Sequence, residues 1–360
     1  MTVLGDLIIR ENVPLASFTT LGVGGPARYF VEAMTESQVL EVLEYTRREA
    51  LPLFVLGGGS NLLISDDGFE GLVLRIVIRG MRPVAGPEGL VTAAAGEEWD
   101  SFVAWCIERH WSGIECLSGI PGSVGGTPVQ NVGAYGQEVS EAIESVRVLD
   151  RDTGIRRSFA RDECEFGYRS SIFNTTGRDR YIILEVTYRL SRDIAPGPLY
   201  PDLQKALAGR ECQPTLREIR DIVRQIRAGK SMLADPADPN GRSAGSFFKN
   251  PVVSRETWLA VEQAARSQAI LNNSEAPPCY SAPGDRIKIP AAWLIERAGF
   301  YRGFAYGNAG ISSKHALALI NRGGAKAQEI LDLMKLIQER VHKVFGISLS
   351  PEPVLVGFSC

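Results

Sequence analysis

Ser118-Gly-Ile-Pro-Gly-Ser-Val-Gly-Gly-Thr-Pro-Val-Gln-Asn-Val-Gly-Ala-Tyr-Gly136 closes a stretch in which seven of the 24 residues counted from Gly113 are glycine. Glycine at that density serves turns that a Cβ would strain, or lets a ligand come close to the main chain. The segment follows a helical pattern over 100–111, with Phe102, Val103, Cys106 and Ile107 on one face. After it the pattern turns β-rich. Val146-Arg-Val-Leu149 and residues 155–159 flank Asp150-Arg-Asp-Thr-Gly154 as a hairpin, and a further strand spans 181–190.

A second glycine turn lies upstream. Arg28-Tyr-Phe-Val-Glu-Ala33 reads as a strand, and Thr35-Glu-Ser-Gln38 as a capping box that satisfies first-turn backbone groups. Val39, Leu40, Val42, Leu43 and Thr46 then follow helical spacing, and Pro52-Leu-Phe-Val-Leu56 is a short buried strand running into Gly57-Gly-Gly-Ser-Asn61. This is a β-α-β unit with its loop at the carboxyl end of a strand, where ligands of α/β layers gather. It is not the dinucleotide fingerprint, since Leu62 stands where the third glycine belongs. Gly229-Lys230-Ser231 is no Walker loop either, since Arg224 occupies the place of its first glycine. One such turn alone reads as an ordinary β-turn. Two in one β-rich region point to a pyrophosphate held by backbone N–H groups.

The chain has 360 residues, which suggests two or three domains. Hydrophobic residues at 44% and charged residues at 22% exclude disordered and fibrous classes. A net charge of −3 supplies no bulk basic field, so no nucleic-acid partner is expected. The apolar stretch 71–80 is broken by Arg75 and Arg79, short of the ~20 residues a spanning helix needs. Asp6, Arg10 and Glu11 interrupt any signal-peptide core. No membrane partner is expected. Cys106, Cys116, Cys164, Cys212, Cys279 and Cys360 are dispersed without a C-x-x-C pair, the pattern of reduced cytosolic thiols. His110, His315 and His342 lack metal-ligand spacing to one another or to a cysteine, which argues against zinc.

Further along, Pro196, Gly197, Pro198 and Pro201 mark a boundary or loop. A helix near 216–228 follows, then the connector Asp235-Pro-Ala-Asp-Pro-Asn-Gly241. The strongest helix comes late, with Ile330, Met334, Ile337, Val341 and Phe345 in one stripe and Gly346 as its C-cap, before a terminal strand over 353–357. Gly241-Arg-Ser243-Ala-Gly245 matches the nucleophile-elbow pattern. A prolyl connector precedes it and no helix follows, so the strand–turn–helix that hydrolysis needs is missing. Arg169, Ser246 and Glu352, taken singly, read as a surface charge, a turn residue and a solvated carboxylate; spacing alone does not unite them.

Several segments in order resemble the UDP-N-acetylenolpyruvoylglucosamine reductase family. They are Asn12-Val-Pro-Leu15 with Ser17-Phe-Thr-Thr-Leu-Gly-Val-Gly-Gly25, Leu56-Gly-Gly-Gly-Ser-Asn-Leu62, Gly119-Ile-Pro-Gly122 through Gln130-Asn-Val-Gly-Ala-Tyr-Gly136, Phe166-Gly-Tyr-Arg169, Ala244-Gly-Ser-Phe-Phe-Lys-Asn-Pro251 and Ser350-Pro-Glu352. The resemblance spans nearly the whole chain. It implies an α+β protein: a two-subdomain FAD-binding module of the vanillyl-alcohol-oxidase (PCMH) type and a C-terminal α+β substrate domain. The expected boundaries are 1–75 and 76–205 for the flavin subdomains and 206–346 for the substrate domain, with 347–360 returning as a strand to the second subdomain.

The same resemblance implies a bacterial, cytoplasmic, monomeric enzyme with non-covalent FAD, which reduces UDP-N-acetylglucosamine enolpyruvate with NADPH. A same-fold oxidase and a non-catalytic flavin or nucleotide-sugar binder are the alternatives. Carried over position by position, Arg169, Ser246 and Glu352 match the catalytic residues. Gly57, Gly58, Gly59, Ser60, Asn61, Ile120, Gly122, Gly126, Val129 and Gly133 match the flavin loops. Tyr135, Arg227, Lys230, Lys249, Asn250 and Lys288 match substrate-side positions, and Tyr200, in Leu199-Tyr200-Pro-Asp-Leu203, matches the tyrosine lid of the longer subgroup. The chain departs from the pattern at Pro201, where Gly is common, and at Pro353-Val354, where Val and a basic residue are frequent. A serine is a poor acid, and Lys249 is its nearest cation in sequence, hence the expected helper of Ser246.

Overall fold

A helical crossover makes one side of the first sheet parallel. In the computed structural model, which describes residues 2–86, 88–192, 201–208, 212–272 and 275–358, the strands lie in the order Thr2–Leu4, Leu7–Pro14, Pro26–Ala33, Phe69–Ile76, Leu53–Leu56. The last three are mutually parallel, and the first two close the sheet as antiparallel neighbours. The helix Glu36–Arg48 makes the crossover. Its capping box forms as expected, with Gln38 N–H to Thr35 Oγ1 at 3.2 Å and Thr35 N–H to Gln38 Oε1 at 3.2 Å. Val39, Val42, Leu43 and Thr46 are buried on one face. Leu53–Leu56 is buried only at Leu56, less than its composition predicts.

The second sheet is antiparallel throughout, in the order Arg156–Ala160, Ile143–Asp150, Tyr181–Arg189, Leu90–Ala94, Met81–Pro83. The predicted hairpin is present: Asp150 Oδ1 accepts the N–H groups of Asp152 and Thr153, and Gly154 takes φ +71°. The helix Trp99–Glu108 is shorter than the pattern 100–111 suggests, because His110 turns to φ +59°. Both sheets and both helices share one core, in which Trp99, Phe102, Val146, Val186 and Tyr188 are fully buried.

By compactness the chain forms two units: Met1–Pro14, Pro26–Gly59 and Gly68–Ala234 make the first, and Leu15–Gly25, Ser60–Asp67 and Asp235–Cys360 the second. This differs from boundaries at 75 and 205. Leu216–Gly229 belongs to the first unit, because Ile219, Ile222 and Val223 bury against Cys116, Tyr135 and Leu203. Two early segments belong to the second, because Leu21, Val23 and Leu63 sit in the core of the C-terminal domain with Phe247, Phe248, Ile330 and Ile337. Asp66 completes the tie: its carboxylate accepts the N–H groups of Ala327 and Gln328 and so caps the helix Ala327–Phe345 from a distant segment.

The stripe of that late helix is buried as predicted, and Gly346 ends it in the left-handed region at φ +70°. The C-terminal strand Val354–Val356 pairs parallel with Leu62–Ile64 and not with the sheet of residues 76–205. Asn61 sets this pairing, since its amide donates to Glu352 O and its carbonyl accepts Val354 N–H. Among the described residues, no helix is long and apolar enough to cross a membrane, and no group of three or more His, Cys, Asp or Glu could hold a metal ion. Cys106, Cys116, Cys164, Cys212 and Cys279 are free thiols, and burial pushes those of Cys116 and Cys164 up to about 12.

Candidate active site

The first unit packs its two glycine turns backbone against backbone. A Cβ on Gly58 would lie 2.5 Å from Gly122 Cα, and one on Gly57 would lie 2.8 Å from Ser123 Oγ. Gly125 is as tight against Ala95. The 118–136 segment is held there by Trp99 N–H to Gly122 O at 3.1 Å, Val124 N–H to Glu97 O at 2.8 Å and Gly125 N–H to Ala95 O at 2.9 Å. Side chains of the core add Trp99 Nε1–H to Leu117 O at 3.0 Å, and Tyr188 Oη to Thr127 Oγ1 at 3.2 Å. Gly119 and Gly122 have φ of +73° and +128°, where a side chain would be strained. Ile120, Val129 and Gly133 are half-buried along this segment and Gly126 is exposed.

Arg169 sits in a tight turn closed by Gly167 N–H to Ser170 O at 2.9 Å, itself at φ +54°. That turn sends the guanidinium back to the glycine segment, where Nη2 donates to Gly133 O at 3.0 Å. Asn131, also left-handed, holds the two loops together through Nδ2 to Gly167 O at 3.1 Å. Arg227 comes from the helix Leu216–Gly229 and is 5% exposed. Its Nε donates to Gly119 O at 3.1 Å and Nη2 to Met232 O at 2.7 Å, and Tyr135 is a further partner. Burial pushes this guanidinium down, while Tyr135 and Asp100 oppose that shift. Lys230 lies 5.8 Å from the Tyr135 ring and pairs with Asp202 at 2.6 Å. Tyr200 lies outside the described residues.

Asp100 was not flagged by any motif, yet it ties the glycine segment to the helix Leu216–Gly229. Its carboxylate accepts Gly119 N–H at 2.5 Å, Arg220 at 2.6 and 2.9 Å and Arg224 at 2.5 Å. Burial pushes its pKa up, but the hydrogen bonds from Arg220 and Gly119 and the charges of Arg220 and Arg224 outweigh that and hold it below its usual range. A carboxyl depressed by folding stabilises the native state above its unfolded pKa, and this contribution is lost as pH falls through the folded value. Asp100→Asn is expected to cost on the order of 2 kcal/mol at neutral pH. The gap to wild type should close as pH drops below the ordinary aspartate value of about 3.9. Melting curves of both proteins across that range check it.

In the second unit the segment that follows Ser246 pairs with the one that ends at Glu352. The stretch 247–249 pairs antiparallel with 350–352, through Glu352 N–H to Phe247 O at 2.9 Å and Lys249 N–H to Ser350 O at 2.9 Å. On its other side Phe247 N–H donates to Leu317 O at 2.8 Å. Phe247 and Phe248, buried in the core, anchor the strand between them. Asn61, the last residue of the first glycine turn, donates from Nδ2 to Glu352 O at 3.1 Å. Ser60 precedes it, half-buried, with its carbonyl accepting Thr20 Oγ1–H at 3.3 Å. Asn250 Oδ1 accepts Ala291 N–H at 2.8 Å, and Lys288 pairs with Val252 in the small sheet. A histidine that no motif marked stands at the centre: His315 Nε2 is 3.5 Å from Ser246 Oγ. Arg169, Tyr135, Arg227 and Lys230 thus belong to one unit, and Ser246, Glu352, Lys249, Asn250 and Lys288 to the other.

Comparison with known proteins matches two stretches of the chain. Residues 235–356 match the family model described as UDP-N-acetylenolpyruvoylglucosamine reductase, C-terminal domain, and residues 27–158 match an FAD binding domain. The UDP-N-acetylenolpyruvoylglucosamine reductase of Thermobifida fusca (strain YX) is 45% identical over 351 residues, covering 96% of this chain and 98% of that protein. The chain belongs to the UDP-N-acetylenolpyruvoylglucosamine reductase family. The reductase of the same name from Cutibacterium acnes is 43% identical over 357 residues, covering 96% and 90%. The crystal structure of UDP-N-acetylenolpyruvylglucosamine reductase (MurB) from Thermus caldophilus superposes with a TM-score of 0.65 at 27% identity, over 97% of this chain and 100% of that one.

This reductase-family chain is therefore a flavoprotein oxidoreductase with a PCMH-type FAD-binding fold and a C-terminal family domain. The residues present fit FAD. Gly57 and Gly58 abut the main chain and side chain of the second glycine turn so closely that any Cβ would fill the space between them, leaving a cradle lined by backbone.

Proposed function

We propose that this chain reduces the enolpyruvyl ether of UDP-N-acetylglucosamine enolpyruvate to UDP-N-acetylmuramate, with NADPH as reductant, in the synthesis of peptidoglycan precursors. The observation that supports the reading is the antiparallel main-chain bonding of 247–249 to 350–352, which makes the segments carrying Ser246 and Glu352 neighbours. FAD, held without a covalent bond, supplies a carrier for the hydride between NADPH and substrate.

The chain's own residues do the rest. Gly57, Gly58, Gly59, Ser60, Asn61, Ile120, Gly122, Gly126, Val129 and Gly133 hold the cofactor through main-chain groups. Arg169 faces the substrate carboxylate, which gains negative charge as the neighbouring carbon becomes enolate-like. Its planar guanidinium matches the geometry of a carboxylate, and one charge-assisted bond contributes about 1.5–3 kcal/mol. Ser246 donates the proton that reaches that carbon. Glu352 can help only when protonated or through a neighbouring donor, since a bare carboxylate would repel the charge. Tyr135, Arg227 and Lys230 of the first unit, and Lys249, Asn250 and Lys288 of the second, are each assigned to the substrate side, where mostly cationic and polar groups suit the diphosphate and sugar of a nucleotide-sugar, and Tyr200 is assigned to the lid. A nucleotide-sugar and NADPH are cytoplasmic metabolites, and the proposed location follows from them.

Purified protein should oxidise NADPH only when the enolpyruvyl substrate is present, and not with UDP-N-acetylglucosamine. Alcohol-dependent oxygen consumption would instead mark an oxidase. Tight nucleotide-sugar binding with no turnover would mark a silent binder.

A further inference from the structure

We propose that His315 is a positioning residue for proton delivery by Ser246: its Nε2–H donates to Ser246 Oγ, aims the hydroxyl and steadies the charge left on that oxygen. The inference rests on Ser246 being the proton donor. Nε2 stands 3.5 Å from Oγ and is the hydroxyl's one hydrogen-bond partner among the described residues. On the opposite side of the ring, Nδ1 accepts Leu317 N–H at 3.1 Å. An Nδ1 that accepts carries no proton, so the proton of the neutral imidazole is on Nε2 and points at Ser246. Backbone sets the spacing, because Leu317 O takes the N–H of Phe247, the residue after Ser246.

These bonds also define what the ring does not do. A doubly protonated ring would turn an Nδ1–H against the Leu317 N–H, and a neutral ring that released its Nε2 proton would become an imidazolate. His315 therefore neither gives up nor takes a proton during the step. The O–H bond of Ser246 breaks, the new C–H bond forms at the carbon next to the substrate carboxylate, and the negative charge passes to Oγ. The Nε2–H meets it there, and Oγ regains a proton from water once product has left. A hydrogen bond to the charged form of a group makes that group a stronger acid. Such bonds are often long in the resting enzyme and shorten in the reacting complex.

The test follows flavin reduction by NADPH and flavin reoxidation by saturating enolpyruvyl substrate separately, in stopped flow. His315→Leu should leave reduction unchanged and slow the limiting reoxidation rate about 100-fold, the usual loss for one donor aimed at a developing oxyanion. His315→Gln, whose amide N–H reaches the same oxygen, should stay within about tenfold of wild type, well above Leu. In the Ser246→Ala background, His315→Leu should add less than about twofold, because the oxygen it serves is gone.

A wild-type limiting rate in His315→Leu would overturn the proposal. So would a loss confined to substrate affinity, Gln performing no better than Leu, or full additivity with Ser246→Ala. Should the Leu variant not hold flavin, Gln against Glu makes the same comparison of donor with acceptor. An unslowed Ser246→Ala would remove the donor itself and the proposal with it. Wild-type protein that the substrate does not reoxidise at all would instead refute the proposed function.

Discussion

Ser246→Ala should be reduced by NADPH as fast as wild type and then be reoxidised by the enolpyruvyl substrate at least about a hundredfold more slowly, the low end of what a general acid contributes. The asymmetry is the diagnostic. Reduction by NADPH needs no proton at the substrate carbon, whereas product formation does. The substitution deletes one oxygen whose only hydrogen bond among the described residues is the 3.5 Å contact to His315, so little folding energy is at stake. The backbone around it is held by Phe247 N–H to Leu317 O and Glu352 N–H to Phe247 O, and neither bond involves the side chain. Glu352 and Asn61 therefore keep their places in the variant. Flavin absorbance in stopped flow reads both half-reactions, and equal slowing of the two would take Ser246 out of proton delivery.

Gly58→Ala is expected to yield protein largely without flavin. The added carbon would lie 2.5 Å from Gly122 Cα, 2.6 Å from Gly122 C and 2.8 Å from Ser123 N, all main-chain atoms that no rotamer change can remove. Carbon atoms pack best at about 3.5–4.0 Å, so one loop must shift by about an ångström. The 118–136 loop is poorly able to do so, because Gly122 O accepts Trp99 N–H and Gly119 is bonded to both Asp100 and Arg227. Overpacking of this kind typically costs about 1–3 kcal/mol even where side chains can adjust. Gly126→Ala is the informative contrast. Its Cβ would meet only Ser123 Oγ at 3.7 Å, an ordinary contact, so the fold should be unchanged. Flavin lost from that variant would place the cofactor against the main chain at 126, and flavin retained would strike Gly126 from the cofactor-holding set. The ratio of flavin to protein absorbance, with circular dichroism for folding, separates these results.

Local signals in the chain were followed closely by the elements they imply. The Thr35–Gln38 box, the Asp150–Gly154 hairpin, the buried stripe of Ala327–Phe345 and its Gly346 cap all depend on neighbours within a few residues. The shortfalls are where distant groups intervene. The strand after Ser350 pairs with residues 62–64, because Asn61 bonds the main chain of Glu352 and Val354. Asp66 caps a helix some 260 positions away and reads locally as nothing more than a surface carboxylate.

The motifs, as strings of residue types, were sufficient to point to the family and its flavin and to nominate three candidate catalytic positions. Glycine density and the order of short segments survive in the one-dimensional chain. Only the folded chain decided that Asp100 binds Gly119, Arg220 and Arg224 at once, that Arg169 is turned back onto Gly133, and that His315 Nε2 lies 3.5 Å from Ser246 Oγ. Each of those depends on hydrogen-bond geometry between residues far apart in sequence. Periodicity and composition carry no trace of it, because a single aspartate or histidine has the same local signature whether it lies on the surface or beside a reacting hydroxyl.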